Sequence, residues 1–428
     1  MSMFVGTGRQ IINPEIGHNL AGYGPDYPNT GVHDNVSVTA LYLNDGSRSA
    51  LLLSYDLIGL LRPTQKRIRQ AITQATGVQD VFLHCTHVHS APTPMEGRFG
   101  TQPGPGYRPD YMERLLQWSV EAAQQAKAST EECQLRYNYA YVEENMNRRY
   151  SFPDRRFLYI PDNKQLAGTS REFVDRELGI IAFRKKGTRN RYKALITNYT
   201  CHPLNVGNSS NLVTADFQGV IRRVVEDTFE GCTCLATTGA AGDNHPLMPE
   251  SGFASAEAMG TTLGRQAICR AYDSIAADYD NQLRLAYPEV QVAMKDPATV
   301  QMLPETEARK QELRAIKEWT VDVSLLGIGP ILLSGFPGEP VAELGAMLKW
   351  SSPFLKSYVL FTSTDHAGYL PTYNQFYWGG YEPNTTPFAR GTGERLVGKV
   401  LETARELVRE QPLNLPALPA LAVGGLPR

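Results

Sequence analysis

Residues 81–94 read V-F-L-H-C-T-H-V-H-S-A-P-T-P, an apolar run that ends in three histidines and then breaks at two prolines. Val81–Cys85 has the length and composition of a buried strand, and it runs straight into groups able to bind metal or move protons. His87 and His89 are two apart, so on an extended chain both side chains leave the same face. Such a pair at a strand end can hold a metal with one imidazole and serve it with the other. His84 has the opposite parity and is expected to point elsewhere. Three of the eight histidines of the chain fall within these six residues.

Strand-length apolar runs alternate with helical patterns on either side of this stretch. Upstream, Val36–Leu43 and Ser49–Tyr55 read as strands around the turn Asn44-Asp45-Gly46. Thr64–Thr76 has helical spacing, with Gly77 as its stop. Downstream, Tyr111–Ala126, Gln218–Phe229, Ala254–Ala276, Pro304–Glu318, Val341–Trp350 and Gly393–Glu410 read as helices. Leu135–Val142, Ile180–Phe183, Ala194–Tyr199, Cys232–Thr237, Ile331–Phe336 and Tyr358–Thr362 read as strands. The pattern predicts a mixed α/β layered fold, β-sheets flanked by helices, as one domain over residues 1–411. Residues 412–428 carry four prolines and no period, and read as an extended or docked tail.

The bulk properties narrow the function. Of 428 residues, 42% are hydrophobic and 20% charged, the balance of a globular protein with a large core. A formal charge of −2 offers no basic surface for nucleic acid or an anionic membrane. The apolar runs fall far short of a bilayer span, so no integral membrane segment is expected. The N-terminal residues lack the charged start and apolar run of a secretory signal. The cytoplasm is therefore the expected compartment, or an extracellular one if a signal has been removed. The six cysteines form no CxxC pair and read as reduced, buried thiols.

Four further clusters lie where strands end. His202 follows Ala194–Tyr199, in N-Y-T-C-H-P, where a loop cap is the simpler reading. Asp216, in V-T-A-D-F-Q-G, could be an N-cap for the helix after it. In the loop A-T-T-G-A-A-G-D-N-H-P, residues 236–246, Gly239 and Gly242 could bring backbone N–H groups to a reacting oxygen; a tight turn is the alternative. Glu339, in F-P-G-E-P, stands at a helix start, where a carboxylate is favoured in any case. The segment D-H-A-G-Y-L-P-T-Y-N-Q-F-Y-W-G-G-Y-E, residues 365–382, sets four tyrosines among glycines and suggests a lined pocket.

Taken in order, these segments resemble the neutral ceramidase family, the neutral/alkaline non-lysosomal amidohydrolases, from about Gly6 to about Val400. A-G-Y-G (Ala21–Gly24) resembles the family's early glycine motif and S-Y-D (Ser54–Asp56) its strand-end aspartate. T-H-V-H-S-A-P resembles T-H-T-H-S-G-P, which implies His87 as a zinc ligand and His89 as the acid–base residue. His202 resembles the second zinc histidine, followed by a family aspartate at Asp216. P-G-E at Pro337–Glu339 implies Glu339 as a ligand, and Tyr369 resembles the tyrosine ligand. Tyr381, twelve residues on, resembles the substrate-contacting tyrosine, and Asn147-Arg148 the N-R whose arginine contacts substrate. The family's G-D-V-S-P becomes Gly242-Asp243-Asn244-His245-Pro246, so His245 stands in the serine's place. After Glu410 eighteen residues remain, from which no immunoglobulin-like C-terminal domain is expected.

The resemblance implies a Zn²⁺ hydrolase that cleaves an N-acyl amide, or a related amide or ester, with water activated by the metal. Tyr381, Arg148 or the Gly239–Asp243 loop would polarise the carbonyl, with His89 moving the proton and His245 sharing that role or binding a polar group. A sugar-derived or lactone substrate, or a ligand-binding relative without turnover, are the other readings. The expected partner is a small-molecule substrate, with a homo-oligomer left open.

Overall fold

The computed structural model describes residues 3–23, 26–95, 106–151, 157–159, 172–247, 251–300, 311 and 313–416. Its first layer is a nine-stranded sheet. In chain order its long strands are β1 (Met3–Ile11), β2 (Ser37–Asn44), β3 (Ser49–Tyr55), β4 (Asp80–Cys85), β5 (Glu131–Tyr141), β6 (Glu177–Lys185), β7 (Tyr192–Tyr199) and β8 (Thr233–Thr238). They are ordered β8-β7-β6-β5-β1-β2-β3-β4, with the two-residue strand Ile275–Ala276 paired to β5. β7 with β8 and β3 with β4 are parallel, and the other neighbours are antiparallel. The two outermost strands approach each other without a ladder: Thr238 N–H donates to His84 Nε2 at 3.2 Å, and Thr238 Oγ1 to Thr86 O at 2.7 Å.

Both faces of this sheet are buried, so its strands alternate between two cores. Val38, Ala40, Leu51, Leu53, Val81 and Leu83 pack under helices α1 (Arg62–Thr76) and α2 (Pro109–Ala128). Leu178, Ile180 and Leu195 pack under α3 (Asp216–Thr228) and α4 (Phe253–Tyr272). On the opposite face Leu41, Leu43, Leu52, Phe82, Ile181 and Ile196 meet a second sheet. That sheet runs β9 (Leu283–Ala286), β10 (Ser324–Ile328), β11 (Ile331–Gly335) and β12 (Lys356–Leu360), with β11 and β12 parallel. Its outer face is covered by α5 (Ala342–Ser351) and α6 (Thr392–Glu410). The architecture is therefore helices, sheet, sheet, helices, a mixed α/β fold as the sequence implies.

Several expectations need correction. β1 has no strand signature, because Gly6 and Gly8 interrupt its apolar residues. It is nevertheless central, and its glycines serve packing. A Cβ on Gly6 would lie 1.9 Å from Ala126 O, and one on Gly8 2.2 Å from Ala122 O, so only glycine lets α2 lie this close. The helix expected to Ala276 stops at Tyr272. Of the helix expected over Pro304–Glu318, residues 304–310 and 312 lie outside the described residues, while Glu318 opens the strand Glu318–Asp322. Of the six free cysteines, Cys269 is exposed and the rest are buried. In the tail, Pro412 O accepts from Arg284 Nη2, and Asn414 N–H donates to Asp280. Residues 417–428, and Gly24 of the glycine motif, lie outside the described residues. No helix among the described residues is long and apolar enough to cross a membrane.

Candidate metal centre

Five strands deliver the site at their carboxyl ends: β4, β7 and β8 from the first sheet, β11 and β12 from the second. The chain leaves β4 at Cys85 and turns at His87, whose φ of 69° is left-handed. His87 and His89 are therefore neighbours through a turn, not through strand parity, with ring centroids 5.1 Å apart. His84 points elsewhere, as expected, held by partners at the ends of two other strands. Its Nε2 accepts from Thr238 N–H, so Nδ1 carries the proton and donates to Phe361 O at 2.9 Å. Burial lowers its pKa to about 3, and it acts as a neutral strap between the two sheets.

His87, His202 and Glu339 converge. Glu339 Oε2 lies 3.5 Å from His87 Nε2 and 3.4 Å from His202 Nε2. A tetrahedral zinc with bonds of about 2.0–2.1 Å has ligand-to-ligand edges of about 3.3–3.4 Å, so these three atoms fit such an ion. Each histidine is also oriented for it. His87 Nδ1 donates to Ile58 O at 2.6 Å and His202 Nδ1 to Ala241 O at 2.5 Å, which leaves Nε2 as the lone-pair nitrogen. Among the described residues, His202 Nε2, Glu339 Oε2 and both ring nitrogens of His89 are buried with no hydrogen-bond partner. Burial would raise the Glu339 carboxyl, but His87, His202 and His366 outweigh it and hold it well below the usual range. Burial likewise keeps His87 neutral and lowers His89 to about 3.

Glu339 is brought here by strand pairing, not by a helix start. Glu339–Pro340 pairs in parallel with Tyr369–Leu370, in register Glu339 to Tyr369. Gly338 permits the approach, since a Cβ there would be 2.1 Å from Gly368 O. Tyr369 is thus beside Glu339 along the backbone, and burial followed by the Glu339 charge raises its phenol well above the usual range. The Arg148 guanidinium lies 5.4 Å from the ring centroids of both Tyr369 and Tyr381. Tyr373 and Tyr377 of the same segment are half exposed, so two of its four tyrosines face inward rather than all of them.

Arg148 Nε donates to Glu382 Oε1 at 2.7 Å, and Arg149 Nη1 to Glu382 Oε2 at 2.5 Å. Burial opposes the charge on Glu382, yet the two arginines lower its pKa. Arg148 Nη1 sits 2.7 Å from His245 Nε2. Arginine can only donate, so Nε2 accepts and the His245 proton is on Nδ1. Burial, then Arg148, lowers this imidazole well below its usual pKa. His245 also lies beside His202, at 5.3 Å between centroids.

The two glycine amides of the 236–246 loop are engaged by other backbone carbonyls. Gly239 N–H donates to Tyr199 O and Gly242 N–H to Pro340 O, both at 2.9 Å. These glycines serve close packing, since a Cβ on Gly242 would sit 2.6 Å from Glu339 O. Asp243 gathers the surrounding segments instead, accepting from Asn147 Nδ2, Ala342 N–H and Gln375 Nε2. Asp216 is the first residue of α3, after the N-cap Ala215, with a φ of 53°. Its carboxylate accepts from Val206 and Phe217 N–H, and burial raises it to about 6. Asp56 accepts both terminal nitrogens of Arg222 at 2.8 and 2.7 Å.

Sequence reasoning missed His366, whose Nε2 is 3.3 Å from Glu339 Oε1. Its only signal was its place in D-H-A-G-Y, three residues ahead of Tyr369. Among the described residues, two triads have ligand atoms within 4.8 Å of one another: His87, His89 and His202, and His87, Glu339 and His366. They share His87, so the geometry describes one centre.

A search of curated proteins finds no match to the chain. Among solved structures, neutral ceramidase from Pseudomonas aeruginosa matches with a TM-score of 0.75 at 14% identity, over 98% of this chain and 76% of that one. A ceramidase complexed with C2 matches at 0.74 and 15% identity, over 99% and 78%. These likenesses establish the fold. The family model described as neutral/alkaline non-lysosomal ceramidase, N-terminal, matches residues 4–241, which include His87, His89, Arg148 and His202. More than half of the chain carries that pattern, and the chain belongs to the neutral/alkaline non-lysosomal ceramidase family.

Proposed function

We propose that this ceramidase-family hydrolase is zinc-dependent, with His87, His202, Glu339 and Tyr369 as ligands, and that it cleaves an N-acyl amide or a related amide or ester. The observation that carries the metal is the pair of 3.4 and 3.5 Å edges between Glu339 Oε2 and two histidine Nε2 atoms already oriented by backbone carbonyls. The chemistry that zinc supplies in such a site is a water of lowered pKa, roughly 7, and a polarised carbonyl.

The chain's own residues account for the rest. Both nitrogens of His89 are unpartnered beside the converging ligands, which leaves it placed to take the proton of the attacking water and return it to the leaving group. Arg148 and Tyr381 flank the carbonyl as donors, with Glu382 holding the guanidinium in place. His245, bonded to Arg148, offers Nδ1–H where a family serine would offer a hydroxyl. This larger, rigid donor favours a polar partner, because specificity follows from which polar groups of the site a substrate leaves unpaired. The substrate that fits is therefore smaller and more polar than ceramide.

Elemental analysis should find about one zinc per chain, lost in His87→Ala and His202→Ala; full retention in both would overturn the metal assignment. The zinc-loaded protein should turn over short N-acyl amides faster than ceramide when both are assayed beside lactones, esters and glycosides. Efficient ceramide turnover would restore the plain ceramidase reading, and turnover of lactones or glycosides alone would move the activity to another bond.

A further inference from the structure

Glu339 divides its two oxygens between different neighbours. Oε2 faces His87 and His202 at 3.5 and 3.4 Å, whereas Oε1 faces His366 Nε2 at 3.3 Å. His366 is buried and seated from two sides. Its backbone N–H donates to Asp365 Oδ1 at 2.8 Å, and the same oxygen accepts from Arg62 N–H at 2.9 Å. Its ring rests on Gly59, where a Cβ would lie 2.6 Å from both Cβ and Cγ of His366. Gly59 directly follows Ile58, whose carbonyl orients His87. One short segment between β3 and α1 thus seats both rings.

We propose that His366 is a positioning residue that donates from Nε2 to Glu339 Oε1 and so commits Oε2 to the space between His87 and His202. The inference rests on the metal reading given above. Its physical reason is the softness of the carboxylate torsion, which is broad and two-fold rather than staggered. Unrestrained, Glu339 would present either oxygen or both. A donor fixed at one oxygen selects a single presentation before any ion arrives, and partners of this kind are worth about 10–100-fold in metal affinity. The histidine is suited to the task because its own ring cannot swing: Gly59 leaves no room behind it.

The test is metal affinity of the full chain, measured by competition with a chelator, together with the visible spectrum of the cobalt-loaded protein. His366→Ala should weaken zinc binding about 10–100-fold. His366→Gln, which retains a side-chain N–H donor, should recover much of the loss and keep the wild-type cobalt bands. Gly59→Ala touches no proposed ligand, yet should weaken binding in the same direction by displacing the ring. Near-UV circular dichroism of the metal-free variants checks that each is folded. Wild-type affinity in folded His366→Ala would overturn the proposal while leaving the metal centre standing. A His366→Gln variant as weak as His366→Ala, with altered cobalt bands, would overturn it by making His366 a ligand. Failure of the wild type itself to bind zinc would instead overturn the metal reading, and this inference with it.

Discussion

At the scale of single residues, histidine has opposite uses within six positions. His84 has both ring nitrogens bonded across the sheets, whereas His89 has neither bonded. Desolvation keeps both neutral, each at about 3, so the protonation state does not distinguish them. Hydrogen bonding does: a saturated ring is structural, and an unsaturated one beside two converging imidazoles is available for chemistry. His89→Ala should therefore keep the metal and lose activity by a factor on the order of 10² to 10⁴, the range for a general acid–base group. Zinc content measured beside the rate decides the matter, and a variant that lost its zinc would exchange the role of acid–base residue for that of ligand. Backbone strain marks the same place. His87, Asp216 and Thr362 are the non-glycine residues with left-handed φ among the described residues, and two of them sit directly at strand exits into the centre. Such conformations cost of order 1–3 kcal/mol each and persist where the surroundings enforce them.

At the scale of elements, the clearest result is β1. Its sequence, M-F-V-G-T-G-R-Q-I, alternates poorly because α2 lies directly on Gly6 and Gly8. Gly8→Ala would place a methyl 2.2 Å from Ala122 O and 2.7 Å from Gln125 Cβ, and is expected to cost about 3 kcal/mol or more, the upper end for overpacking. Gly398→Ala in α6 meets nothing within 4 Å and should stabilise by about 0.4–1 kcal/mol. Urea midpoints of the two variants measure the contrast, and a neutral Gly8→Ala would refute this account of the strand. The strands that were legible, β2 to β8 with β11 and β12, are those rich in apolar and β-branched residues. The short strands β9, L-R-L-A, and β10, S-L-L-G-I, were not, since a charge in one and a glycine in the other break segments already too short to show a period.

At the scale of the whole molecule, the proposed centre spans the layers. His87 and His202 follow strands of the first sheet, while Glu339 and Tyr369 follow strands of the second. An ion held by all four ties two sheets that otherwise meet through apolar packing and straps such as His84. Zinc at about 100 times its dissociation constant should then raise the unfolding free energy by about 2.7 kcal/mol, visible as a higher melting temperature. The increment should vanish in His202→Ala, and an equal increment in that variant would place the stabilising ion elsewhere.

The sequence by itself determined the layered α/β class, most of the long elements, and a set of residues that stand together in space: His87, His89, His202, Glu339, Tyr369, Tyr381, Arg148 and His245. His87 and His89 were legible from their spacing past a strand; the others were picked out by the resemblance of their short motifs to those of a family. Tertiary structure alone decided which histidine is a strap and which is unsatisfied, that Glu382 clamps two arginines, and that His366 faces Glu339. These depend on contacts between residues as far apart as Gly59 and His366 or Arg149 and Glu382. Nothing in the local pattern encodes such a contact, because it exists only once two sheets have packed face to face and brought their strand ends to one point.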